Sequence, residues 1–272
     1  MMNLWCDIGV NLFSSQFDAD REAVLQRAAD AGVVQLILIG SDLAESRQNI
    51  AFCYQHSGCF STAGIHPHQA TSADADALQQ LAQLLQDPKV IAVGECGLDF
   101  NRDFSPRPVQ QQIFAEQLQL ANSVAKPVYL HQRDAFDTQL AILKESQVSR
   151  GVSHCFTGDT AQLKAWLDLG LYIGITGWLC DERRSAELRQ ALQYIPLDRL
   201  LLETDAPYLL PRDLTPKPAS RRNEPALLPH IGATVARMLQ LDIARLARQT
   251  VDNCCNLFQL DGRLSVTGEQ HE

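Results

Sequence analysis

The sequence has no apolar run approaching the ~20 residues that a membrane-spanning helix needs, so no transmembrane helix is expected. Its start, Met1-Met-Asn-Leu-Trp-Cys-Asp7, lacks the basic segment followed by an apolar one that marks a secretory signal, so export is not expected either. The eight cysteines are scattered, with no paired C-x-x-C spacing. Without an export signal this implies reduced thiols and a cytoplasmic location. A basic surplus is missing too: the formal net charge is −9, which argues against a protein that coats nucleic acid by bulk electrostatics. That charge still allows an enzyme that meets a phosphate chain at one local site, with a divalent cation and a few arginines supplying the positive charge. There is no internal repeat and no low-complexity tract.

What is present is 272 residues, 46% hydrophobic and 20% charged, the usual size of a single (β/α) barrel. Short apolar runs alternate with helical patterns. The runs are Leu4–Val10, Val34–Gly40, Cys59–Ile65, Val90–Val93, Val128–His131, Gly151–Phe156, Leu171–Thr176 and Leu200–Asp205. Helical patterns cover Asp18–Ala31, Leu43–Tyr54, Asp76–Leu85 and about Val109–Val124, and a final pair, Leu227–Leu239 and Ile243–Phe258, is expected to pack outside. About eight βα units predict an α/β fold, a closed (β/α)8 TIM barrel forming one domain over residues 1–272. An open doubly wound sheet is the alternative, but no G-x-G-x-x-G follows the first strand. The proline-rich, basic segment Pro207–Pro229 reads as a loop over the barrel mouth, and a short tail follows residue 260.

The central stretch is Val90-Ile-Ala-Val-Gly-Glu-Cys-Gly-Leu-Asp-Phe100. Its first four residues predict a strand buried on both faces, stopped at Gly94, with Glu95 following and Gly97 turning the chain toward Asp99. Asp7, His66, His68, Glu95, His131, His154 and Asp205 all fall at, or just past, the carboxyl ends of predicted strands, which converge on one rim in a barrel. Glu95, His131, His154 and Asp205 come from four strands. Two imidazoles and two carboxylates form a divalent-metal site; a buried ionic network is the competing reading. A metal lowers the pKa of water, and Asp205 is placed to act as general base. In His66-Pro-His68 the proline stiffens the turn so that one imidazole can face the rim; an exposed loop pair is the alternative. Arg212, Lys217, Arg221 and Arg222 in the mouth loop suit phosphate oxygens, or are ordinary surface charge. Strand alternation points Cys96 and Cys155 away from the rim.

At these residues the chain resembles the TatD family of metal-dependent deoxyribonucleases, within the amidohydrolase-like barrels. The segments that carry the likeness are Ala63-Gly-Ile-His-Pro-His68, Val93-Gly-Glu-Cys-Gly-Leu-Asp-Phe100, Val128-Tyr-Leu-His131, Ser153-His-Cys-Phe-Thr-Gly158, Gly174-Ile-Thr-Gly177 and Leu202-Glu-Thr-Asp-Ala-Pro-Tyr208. The resemblance implies a cytoplasmic, monomeric 3′–5′ exonuclease on single-stranded DNA or RNA, linked to DNA repair and usually supported by Mg²⁺. By position, Glu95, His131 and His154 would hold the metal, Asp205 would ligate it or act as general base with Glu95 beside it, and His66 would contact a substrate phosphate. Imidazole ligands suit Mn²⁺ or Zn²⁺ better than Mg²⁺. The family's first strand usually ends in a His-x-His pair that binds a second metal. Gly9 and Asn11 stand there in this chain, and Asp7 reaches the rim only if it lies high enough on the strand. One tightly held metal is therefore expected. Two other readings are an amide or ester hydrolase, including deacylation of mischarged tRNA, and a non-catalytic metal-binding scaffold.

Overall fold

A computed structural model describes residues 2–260, so the short tail expected after residue 260 lies outside the described residues. Eight strands pair in chain order, all parallel. They are β1 (Trp5–Val10), β2 (Val33–Leu38), β3 (Cys59–Ala63), β4 (Val90–Asp99), β5 (Val128–Arg133), β6 (Gly151–Ser153), β7 (Tyr172–Ile175) and β8 (Leu200–Leu202). The helices between them are α1 (Arg21–Asp30), α2 (Leu43–Gln55), α3 (Ala75–Leu84), α4 (Arg107–Val124), α5 (Phe136–Ser146), α6 (Thr160–Asp168) and α7 (Ala186–Leu192). The ring closes between first and last strands: Val10 bridges Ala206, Asn11 N donates to Ala206 O at 2.8 Å, and Asp205 N donates to Gly9 O at 2.9 Å. This is the (β/α)8 barrel that the alternating pattern predicted.

Local chemistry explains the elements. Asp42, Asp74 and Asp159 each accept a backbone N–H in the first turn of α2, α3 and α6, satisfying donors that a helix start leaves unpaired. β-branched and apolar runs fill strands covered on both faces, so β1 and β4 are buried throughout. Outward strand residues such as Trp5 and Leu36 pack against the inner faces of the helices, which supply Leu81, Phe114 and Trp166. Inward ones, Ile8, Ile37, Ile39, Ile91, Tyr129 and Leu201, fill the barrel.

Two readings are corrected. The last helices, α8 (Leu228–Leu239) and α9 (Ile243–Phe258), do not lie wholly outside. The end of α9 sends Cys254, Leu257 and Phe258 into the barrel's interior cluster, and Asn253 Nδ2 donates to Leu197 O and Leu200 O at the base of β8. Nor does the fourth strand stop at Gly94: β4 runs on to Asp99, with Gly97 paired to His131 and Asp99 to Arg133. Gly94 and Gly97 carry φ of +142° and +144°, and a Cβ on them would collide with Tyr129 O and His131 O. The glycines let β5 approach closely instead of ending the strand.

Candidate active site

The carboxyl ends of the strands surround a cavity of about 480 Å³ lined by Asn11, His66, His68, Glu95, His131, His154, Cys155, Trp178, Asp205 and Tyr208, with others. Glu95 is its hub. Its Oε1 lies 2.8 Å from His131 Nδ1, 3.7 Å from His66 Nε2 and 3.7 Å from His154 Nε2. His154 Nε2 is also 4.0 Å from Asp205 Oδ1. The four residues expected to hold a metal do meet, and both His66 and His68 face the same cavity.

Hydrogen bonding separates the roles of the histidines. His154 Nδ1 lies 2.6 Å from Glu203 Oε2 and 2.8 Å from Tyr129 OH. A ring whose Nδ1–H is held by a carboxylate turns its Nε2 outward, the usual support of a histidine that ligates a metal once that nitrogen gives up its proton. His131 has Glu95 at Nδ1, while its Nε2 is buried without a hydrogen-bond partner, 3.5 Å from Asp99 Oδ2. His66 differs: its Nδ1 accepts the backbone N–H of His68 at 3.1 Å. The neutral ring therefore carries its proton on Nε2 and faces the cavity as a donor. His68 holds its Nε2 2.7 Å from Asp99 Oδ2.

The charge balance suits a cation. Burial alone would raise the pKa of Glu95, but His66, then His131 and His154, outweigh it and keep the group well below the usual carboxylate range. Burial disfavours charged His154 and His131, yet facing carboxylates win and raise them to about 10 and about 9. For His66 burial prevails and lowers it to about 3. Asp205 is raised to about 7, first by burial. One ligand atom each from His66, Glu95 and His131 lies within 4.8 Å of the others, and the same holds for His154, Cys155 and Asp205. Carboxylates and imidazoles converging on one cavity, with a buried His131 nitrogen unpartnered, fit a divalent cation.

Several expectations change. Asp7 is not at the rim. It sits mid-strand in β1, fully buried, where it accepts from Thr204 N at 2.9 Å and Thr204 Oγ1 at 2.5 Å and fastens β8 to β1. Asn11 is no substitute ligand, because its Nδ2 donates to Asp205 Oδ1 at 2.9 Å and aims that carboxylate. Gly9 has a steric reason: a Cβ there would stand 2.5 Å from Glu203 Oε2 and 2.5 Å from Tyr129 OH. The Glu203 carboxylate occupies the space a first-strand histidine would need. Cys155 does not point away. β6 ends at Ser153, Cys155 takes φ of +46°, and alternation no longer applies, so the thiol lines the cavity. Cys96 is buried, away from the cavity.

The mouth-loop arginines divide. Arg212 and Arg221, with Arg184, line a groove of about 280 Å³ that shares Trp178, Tyr208 and Leu209 with the main cavity. Arg222 points elsewhere. Its guanidinium donates to Asp20 at 2.7 and 2.9 Å, to Glu224 at 2.6 Å and to Gln16 O at 2.8 Å, so it fastens the loop to α1's approach and is withdrawn from a phosphate role.

Glu203 is the main residue the sequence reading missed. Fully buried, it accepts from Tyr129 OH at 2.8 Å and Cys155 N at 2.6 Å besides facing His154. Its signal was its place: like Asp205, it is a carboxylate closing the apolar run that begins at Leu200. Asp99 stands behind His131 and His68 because β4 continues past Gly94, which a glycine in the sequence does not reveal.

A family model described as TatD related DNase matches residues 6–259. A Klebsiella pneumoniae protein, the 3′–5′ ssDNA/RNA exonuclease TatD, is 53% identical over 257 residues, covering 94% of this chain and 98% of its own. The Escherichia coli K12 protein of the same name is 50% identical over 254 residues, covering 93% and 98%. Among solved structures, a TatD homolog from Escherichia coli superimposes with a TM-score of 0.88 at 30% identity, covering 96% of this chain and all of that one, 100%. With a barrel of this topology and a rim of this composition, the chain belongs to the TatD-related DNase family.

Proposed function

We propose that this chain is a divalent-metal-dependent 3′–5′ exonuclease that hydrolyses single-stranded DNA or RNA, a cytoplasmic monomer with DNA repair as its setting. The observation that carries the reading is the rim. Histidines backed by carboxylates, Glu95 and Asp205 converge on one cavity, in a chain 53% and 50% identical to two relatives named for this activity. Glu95, His131, His154 and Asp205 would hold the cation, Mg²⁺ by family habit, with Mn²⁺ and Zn²⁺ suited to the imidazoles. The chemistry such an ion supplies when bound is Lewis acidity toward a phosphodiester and a water.

The chain's own groups do the rest. Asp205, aimed by Asn11, takes a proton from the attacking water. His66 presents its Nε2–H to a phosphate oxygen of the scissile bond. Tyr208, which is 51% exposed, and Trp178 offer faces on which bases stack. The next phosphates follow the groove of Arg184, Arg212 and Arg221. A second groove beside the cavity, lined by Asp134, Asp137, Asp159 and Glu187 with Arg133, has the wrong sign for a phosphate chain. All eight cysteines are free thiols, and among the described residues no helix is long and apolar enough to cross a membrane.

The test is release of mononucleotides from single-stranded DNA and RNA by the purified full chain, set beside hydrolysis of an aminoacyl ester. Cleavage of the ester alone would favour the acyl-hydrolase reading. No cleavage of either would favour the scaffold.

The arginines make a sharper test. Replacing Arg212 and Arg221 by Ala should raise KM and lower the slope of log K against log salt by ~0.7 for each single-strand phosphate no longer neutralised. Arg222→Ala should leave that slope unchanged and lower the melting temperature instead, since it breaks the ties to Asp20 and Glu224. The reverse pattern would misplace the strand.

A further inference from the structure

Away from the rim, three side chains from separate segments meet. Cys180 ends the 3₁₀ turn Gly177–Cys180 that follows β7, Asp213 stands in the mouth loop, and His230 lies in the first turn of α8. One ligand atom from each lies within 4.8 Å of the other two. His230 Nε2 is 2.7 Å from Asp213 Oδ1. Cys180 is only 2% exposed, while His230 and Asp213 sit nearer solvent. None of the three lines the active-site cavity.

We propose that Cys180, Asp213 and His230 bind a second, borderline-soft divalent cation of the zinc class, at a site distinct from the catalytic rim. One thiolate, one imidazole and one carboxylate make a donor set zinc prefers, and three protein ligands leave the fourth tetrahedral position for water. A plain ion pair between Asp213 and His230 would account for two of the residues. It does not use the buried thiol, which stands against the same Asp213 carboxylate with Thr234 beside it. Burial first, and Asp213 among the rest, pushes that thiol up to about 12. Without an ion the sulfur keeps its proton, and binding releases it to solvent as the thiolate forms. Thiolate and carboxylate then bring two negative charges to one dication, with the imidazole neutral.

The placement gives the site a consequence. Asp213 follows Arg212 directly, so an ion held here would tie the mouth loop to the wall of the barrel behind β7 and set the position of the arginine groove. The cluster alone supports this site, whether or not the rim cuts nucleic acid.

The experiment uses the full chain, stripped with chelator and titrated with Co²⁺. A thiolate-to-cobalt charge-transfer band should grow in the near ultraviolet. It should vanish in Cys180→Ser and persist in Cys155→Ser and Glu95→Ala, which alter the rim. A band that survives Cys180→Ser but is lost in Cys155→Ser would put the thiolate at the rim and overturn the proposal; so would the absence of any band. If Cys180→Ser fails to fold by circular dichroism, His230→Ala and Asp213→Asn carry the test at less buried positions. Each should weaken cobalt binding at the band by at least the ~10–100-fold that loss of an outer-shell partner costs. An unchanged titration in both would overturn it.

Discussion

Glu95→Ala should lower the rate of nucleotide release from single strands by ~10³-fold or more, equivalent to ~4 kcal/mol of lost transition-state stabilisation. The effect is large because Glu95 Oε1 is the atom on which His66, His131 and His154 converge. In the proposed site, removing it takes away a ligand and also the negative charge that faces three imidazoles. His131 would keep only Asp99, at 3.5 Å, and would turn toward it. Divalent-metal affinity should fall together with rate, and both are read by calorimetric titration alongside single-turnover kinetics. A variant that binds metal at wild-type affinity and loses only rate would make Glu95 a proton-transfer group. One that keeps both would remove it from the centre.

Glu203→Gln should cost ~10–100-fold in metal affinity and in rate while the chain still folds. Every neighbour of this side chain is a donor: Tyr129 OH and His154 Nδ1 at Oε2, and Cys155 N at Oε1. An amide must turn its NH₂ toward one of them. Toward Cys155 N, two donors face each other in a dry site. Toward His154, the ring must accept at Nδ1 and move its proton to Nε2, the nitrogen that faces Glu95 and Asp205, and a protonated nitrogen cannot ligate. Glu203→Ala should be worse. It leaves His154 without its buried carboxylate, a class of loss worth ~3–5 kcal/mol of stability. The same geometry predicts that Gly9→His will not rebuild a histidine pair on the first strand, because its Cβ would meet Glu203 Oε2 and Tyr129 OH at 2.5 Å. Gly174 stands in the same relation to Oε1. Wild-type metal affinity and rate in a folded Glu203→Gln chain would contradict this account of His154.

The barrel was legible because its strands announce themselves: short, largely apolar runs rich in β-branched residues suit a parallel sheet covered on both faces. Glu95, His131, His154 and Asp205 were legible for a related reason, since a charged or imidazole side chain closing such a run has few places to go except the rim. What failed to show was whatever depends on geometry across the barrel. Glycine reads as a stop, so Gly94 and Gly97 hid the continuation of β4 and the role of Asp99. Arg222 looks like its neighbour Arg221 on paper; only folding brings Asp20, some 200 residues earlier in the chain, against it. Glu203 was passed over because a buried glutamate without a visible partner reads as part of a strand. Its partners, Tyr129 and His154, lie 74 and 49 residues away.

The claim that this rim cuts single-stranded nucleic acid from the 3′ end with a divalent cation is tested most directly by gel-resolved digestion of one oligonucleotide labelled at either end. With Mg²⁺ or Mn²⁺, a 3′ label should leave at once as a mononucleotide. A 5′ label should report a ladder that shortens steadily. Excess chelator should stop both, and added divalent metal should restore both. Digestion that continues undiminished in chelator, or a 5′ label released first, would contradict the account.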